Sequence, residues 1–198
     1  MLTGLYLITD DNSDGNLLKR VKEALLGGAR TVQYRAKYQS PTDRIIMAEL
    51  LHAACRDAGA KLIINDFPEL AKEIDADGVH LGQDDMSISE ARQLLGRDKL
   101  IGVSTHSVDE ALKAESHGAD YVALGSVFAT DTKDDAKVVG IDTLRKVRRA
   151  VRIPLVAIGG IDPVGADLAI EAGADAVAVV SGVMDDLTPS IAAREYSL

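Results

Sequence analysis

The chain is poor in cysteine and has no excess of positive charge. Cys55 is the single cysteine in 198 residues, so no disulfide can form within the chain. Its setting, LLHAACRDAG, places it on the buried side of a helix. Lys and Arg number 22 against 31 Asp and Glu, a net charge of −9. That balance argues against nucleic acid or an anionic membrane as the main partner, because both reward a basic surface. No apolar run is long enough to span a bilayer. The opening MLTGLYLITDD lacks a basic start and turns acidic after a short apolar run, so no secretory leader is expected and a cytoplasmic protein is the simplest reading. No linker or low-complexity segment breaks the chain, and one domain over residues 1–198 is expected.

What is present is a recurring unit. A helix-like stretch ends in Gly, a small residue follows, and a short β-branched run begins, as in LLGGARTVQY, RDAGAKLIIND, ESHGADYVALG and IEAGADAVAVVSG. Gly suits the left-handed position just past a helix, and the run after it has the length of a strand buried on both faces. Strands are expected near Leu5–Thr9, Thr31–Arg35, Lys61–Ile64, Gly78–Leu81, Leu100–Ser104, Tyr121–Leu124, Leu155–Ile158 and Ala176–Val180. Helical patterns cover Pro41–Ala58, Ser87–Leu95, Ser107–Ser116, Ile141–Ala150 and Pro163–Ala172, with capping-box spacing at Ser87/Glu90 and Ser107/Glu110. Eight such alternations in this length predict a closed, parallel, eight-stranded (β/α)8 TIM barrel, an α/β fold; a doubly wound open sheet is the structural alternative.

The stretch TVQYRAK sets Thr31, Gln33, Arg35 and Lys37 on one face of a strand. Two cations there would be costly in a core, but not at the C-terminal mouth of a barrel, where active sites form. The other strand ends are polar too. The third runs into Asn65 and Asp66, the fourth into His80, Gln83, Asp84 and Asp85, and the fifth into Ser104, Thr105 and His106. The sixth leads into FATDTKDDAK, with Thr130, Thr132 and Lys133; as the longest polar loop it is the natural lid.

Two anion sites follow. Gly159, Gly160, Ser181 and Gly182, after strands seven and eight, read as a monophosphate cup; a pair of plain glycine turns is the alternative. Arg35, Lys37 and Lys133 supply cations, and Asp66 and Asp85 supply carboxylates for a hard divalent metal such as Mg2+ on a diphosphate; turn or capping aspartates are the alternative. Asp84 reads as the residue leading into the next helix.

The ordered set QYRAK, IINDFPELA, DGVHLGQDD, GVSTHS, GADYVALGSVFATDTK, AIGGI and AGADAVAVVSG resembles the thiamine phosphate synthase family from about Gly4 to Val183. The resemblance implies a (β/α)8 barrel transferase that joins hydroxymethylpyrimidine diphosphate to hydroxyethylthiazole phosphate with Mg2+, releasing diphosphate. It assigns Gln33, Arg35, Lys37 and Asn65 to the pyrimidine diphosphate, Asp66 and Asp85 to Mg2+, and Ser104 and Lys133 to the pyrimidine substrate. Arg35, Lys37, Ser104 and Lys133 are the expected catalytic residues. Thr130 and Thr132 would border the thiazole phosphate, with Gly160, Val180 and Ser181 closing its cup.

The chain departs from the family pattern at Ala36, where an acid is usual, at Ser126 and Ala129, where prolines are, and at Gly182, where alanine is. The stop after SIAAREYSL leaves a short eighth helix and the expectation of a looser barrel closure. A thiazole tautomerase using His106 as acid and base is the rival enzyme, although it has no use for the metal pair or the QYRAK cations. A non-catalytic phosphate-ligand sensor is the rival of another class. A homo-oligomer is compatible with the sequence, which leaves oligomeric state open.

Overall fold

A computed structural model describes residues 2–10, 15–130 and 137–196. Parallel strands β1 (Gly4–Ile8), β2 (Thr31–Tyr34), β3 (Lys61–Asn65), β4 (Gly78–Leu81), β5 (Leu100–Thr105), β6 (Tyr121–Leu124), β7 (Leu155–Ile158) and β8 (Ala176–Val179) close into one barrel in chain order. Around it lie α1 (Leu17–Gly27), α2 (Pro41–Asp57), α3 (Pro68–Glu73), α4 (Ile88–Leu95), α5 (Val108–Ser116), α6 (Ile141–Ala150), α7 (Pro163–Glu171), α8 (Ser181–Met184) and α9 (Pro189–Glu195). No helix among the described residues is long and apolar enough to cross a membrane.

The recurring Gly-plus-small unit has a direct cause. At Gly28 and Gly173 the backbone turns left-handed (φ 118° and 104°). The next residue then returns its N–H five positions, Ala29 to the Ala24 carbonyl (3.1 Å) and Ala174 to that of Ala169 (3.0 Å). The small residue is small because it is buried beneath the barrel: Ala29, Ala60, Ala119 and Ala174 all are. Aspartates at the strand starts add a second device. The carboxylates of Asp77, Asp120 and Asp175 accept from the N–H of Leu62, Ile101 and Leu155 on the preceding strand, at 2.7–2.8 Å. Arg148 in turn donates to Asp175 (2.8 Å), and Arg92 pairs with Asp120.

Both faces of the strands are buried, which is why they read as short apolar runs. Outward residues such as Leu5, Leu7, Val32 and Val177 pack against the helices. Inward residues, among them Tyr6, Ile8, Ile63, Tyr121 and Val156, form a separate core inside the barrel. Gly102, paired with Tyr121 in the β5/β6 register, leaves room for that ring; a Cβ at 102 would fall on it. Cys55 lies in the outer core, where burial, reinforced by the charge of Asp77, pushes its thiol up to about 12.

Three expectations are corrected. Barrel closure is not loose: Gly4, Leu5, Tyr6 and Leu7 pair with Ala176, Val177, Ala178 and Val179. The final helical segment, split into α8 and α9, is seated on α1, where a Cβ on Gly27 would come within 2.5 Å of the Ser190 carbonyl. Strand β2 stops at Tyr34, so Arg35 and Lys37 lie past its end. Asp84 does not lead into α4, because Ser87 caps that helix in a full capping box with Glu90. At α5 the box is half formed: Ser107 accepts from the Glu110 N–H, while the Glu110 carboxylate turns to the N–H and Nδ1 of His106.

Candidate functional site

At the C-terminal ends of the strands the barrel opens into a cavity of about 1660 Å³. Every sequence-predicted site residue among those described lines it: Gln33, Arg35, Lys37, Asn65, Asp66, Asp85, Ser104, Thr130, Gly160, Val180 and Ser181. Thr132 and Lys133, with most of the expected lid, lie outside the described residues. A shallow groove between α3 and α4, near Lys72 and Gln93, contains none of these residues.

The cationic corner is set by backbone clamps. The Thr9 hydroxyl, fully buried just past β1, accepts from the Arg35 N–H (3.0 Å) and donates to its carbonyl (3.2 Å). Arg44 of α2 donates to the Ala36 carbonyl (3.1 Å) and stacks 3.9 Å from the centre of the Phe67 ring. That ties the loop after β2 to the loop after β3. Lys37 thereby meets Asp66, Nζ to Oδ2 3.6 Å. Ala36 is itself buried, which leaves little space for the acid usual in the resembled family.

Asp66 sits in the left-handed region (φ 62°), a conformation aspartate tolerates better than most residues, with its N–H held by the His80 carbonyl at 2.9 Å. Burial raises its carboxyl above the ordinary value, a hydrogen bond to Asp85 and the charge of Asp85 raise it further, and Lys37 partly offsets them. Asp85 Oδ2 also accepts from the Gly82 N–H at 2.6 Å, so it closes a turn while facing Asp66. Two adjacent carboxylates suit a hard divalent cation whose shell substrate oxygens and water could complete. Among the described residues no third His, Cys, Asp or Glu joins them.

Across the mouth, Gly159 and Gly160 (φ 96° and 64°) interlock with the loop after β6. Val127 and Phe128 donate to the Ile158 and Gly159 carbonyls at 2.8 and 3.0 Å, and a Cβ on Gly159 would lie 2.7 Å from Ser126 Cα. Loop packing therefore already requires glycine here, independently of any ligand. Ser181 and Gly182, at the start of α8, line the cavity as well, and the first N–H groups of a helix have no partner within it.

Beneath the cavity, His80 is buried between Tyr121 and Ser104; burial lowers its imidazole to about 4 against a small opposing effect of Asp85. The phenols of Tyr6 and Tyr121 are pushed up chiefly by burial. His106 at the rim pairs locally with Glu110, Nδ1 to Oε2 3.1 Å.

The cavity also holds side chains that the sequence did not single out: Tyr6, Thr9, Lys146 and Tyr196. Thr9 ends β1 as polar residues end the other strands, a signal that was there to be used. Lys146 and Tyr196, on α6 and at the end of α9, carry no local sign of the site.

Comparison with known proteins places this geometry. Residues 5–183 match the family described as thiamine monophosphate synthase. The thiamine-phosphate synthase of Chloroflexus aurantiacus is 49% identical over 189 residues, 93% of this chain and 87% of that protein. The thiamine biosynthesis bifunctional protein of Geobacter sulfurreducens is 46% identical over the whole chain, which spans 40% of that longer protein. The solved thiamine phosphate pyrophosphorylase from Pyrococcus furiosus superposes with a TM-score of 0.90 at 38% identity, covering 98% of this chain and 93% of its own.

Proposed function

The chain belongs to the thiamine monophosphate synthase family, and from that premise we propose that it is a transferase joining hydroxymethylpyrimidine diphosphate to hydroxyethylthiazole phosphate, with release of diphosphate. The observation that carries this reading is the placement, in one cavity, of Arg35, Lys37, Asp66 and Asp85 on one side and Gly160, Val180 and Ser181 on the other. A polyanion with its cation fits the first group; a monophosphate fits the second.

Asp66 and Asp85 would hold Mg2+, which when bound neutralises charge building on the departing diphosphate. Arg35 and Lys37 bind the same leaving group through preset charges, stabilising it most as the C–O bond lengthens. Lys133 adds a third cation in this reading. Positive charge left on the methylene is spread by the electron-rich aminopyrimidine, held by Gln33 and Asn65. Ser104 contacts that substrate, and the cup at Gly160 and Ser181, bordered by Thr130 and Thr132, holds the thiazole nitrogen within reach of the carbon, so that positioning rather than a protein nucleophile drives bond formation. The tautomerase alternative would rest on His106, which lines the same cavity at its rim and pairs with Glu110 of the following helix.

The deciding experiment is thiamine phosphate formation by the purified protein, given both substrates, with and without Mg2+. Mg2+-dependent product is expected. Folded protein that makes none from intact substrates would overturn the proposal.

A further inference from the structure

Inside the barrel five polar side chains from five strands form one chain of hydrogen bonds. Gln33 Nε2 donates to Tyr6 Oη (2.9 Å), Tyr6 Oη meets Tyr121 Oη (2.8 Å), Tyr121 Oη meets His80 Nδ1 (3.0 Å), and His80 Nε2 meets Ser104 Oγ (2.9 Å). Gln33, Tyr6, Tyr121 and His80 are buried; Ser104 is half-buried and lines the cavity.

With the Gln33 amide nitrogen facing the Tyr6 phenol, the protons in this chain have one consistent order. An amide N–H can only donate, so Tyr6 Oη accepts from Gln33 and its single proton must go to Tyr121. Tyr121 then has its own proton for His80 Nδ1. That makes His80 the Nε2–H tautomer, which donates to Ser104 Oγ. The reverse order would require the Gln33 amide turned over, with Oε1 rather than Nε2 meeting the Tyr6 phenol.

We propose that Tyr6, Tyr121 and His80 are positioning residues that hold the Ser104 hydroxyl proton toward the cavity, making Ser104 a hydrogen-bond donor to the substrate. The inference rests on the synthase reading for its target. A donor is productive against oxygens of the leaving diphosphate, where negative charge grows, and counterproductive against the pyrimidine ring, which becomes positive.

Two measurements test it. In 15N NMR of histidine-labelled protein, with His80 assigned through a His80→Gln variant, the proton is expected on Nε2 with Nδ1 bare; a proton on Nδ1 overturns the proposal. That result is obtained without turnover, so failure of the synthase reading and failure of this inference are told apart. In kinetics, Tyr121→Phe keeps the ring and removes one link. Its kcat is expected to fall about 10- to 100-fold with KM for the pyrimidine diphosphate nearly unchanged, and the Tyr121→Phe/Ser104→Ala double variant should be no slower than Ser104→Ala alone. Independent, multiplying losses would overturn the coupling. His80→Gln, whose amide can still donate to Ser104, should retain more activity than His80→Leu; equal loss in the two would count against it.

Discussion

A Cβ on Gly182 would lie 2.5 Å from Tyr196 Oη, so the glycine after β8 and the tyrosine closing α9 share one space at the rim of the cavity. The resembled family usually has alanine at this place, and here the phenol takes the room of the methyl. Gly182→Ala should therefore destabilise by about 1–3 kcal/mol through overpacking. Adding Tyr196→Phe removes the obstructing oxygen and should restore most of the loss. Denaturant midpoints of the two variants decide it; an unchanged Gly182→Ala midpoint would show that the ring yields freely.

Thr9→Val keeps the shape of a buried side chain and removes both bonds to the Arg35 backbone. Stability should fall by about 1–2 kcal/mol. KM for the pyrimidine diphosphate should rise roughly tenfold, because the guanidinium is no longer aimed. Steady-state kinetics with that substrate varied is the check, and an unchanged KM would leave Thr9 a purely structural residue.

Asp85→Asn preserves an acceptor for the Gly82 N–H while removing one charge from the carboxylate pair. Turnover is expected to drop on the order of 100-fold and the Mg2+ needed for half-maximal rate to rise, with little change in melting temperature. Wild-type turnover at wild-type Mg2+ demand would remove Asp85 from the metal site.

His80 gives the fold a pH dependence of known sign. Its folded-state value is about 4 against 6.5 for the ordinary side chain, so the unfolded chain takes up a proton first as pH falls. The neutral imidazole's contribution is whole above about pH 6.5 and is lost between there and about pH 4, on the order of 3 kcal/mol in all. Urea unfolding at pH 7.5 and 4.5 should show a larger loss in the wild type than in His80→Gln. Equal losses would place the acid sensitivity in the carboxylates instead.

The sequence by itself determined the repeating architecture and most of the site. Each Gly-plus-Ala helix end acts over five residues and each Asp before a strand reaches back only to the neighbouring strand, 15 to 20 residues away, so local order carried the barrel's eight units in plain view. Polar residues at strand ends, from Gln33 to Ser181, were legible because a barrel sends every such end to one mouth. What only the tertiary structure decided is which buried residues face inward and meet. In a strand covered on both sides, the inward and outward sets look alike in sequence, so nothing in GLYLI distinguishes Tyr6, inside the barrel, from Leu5, outside it. Closure and register then bring Tyr6 against Tyr121, 115 residues away, and a final helix back onto α1, setting Tyr196 beside Gly182.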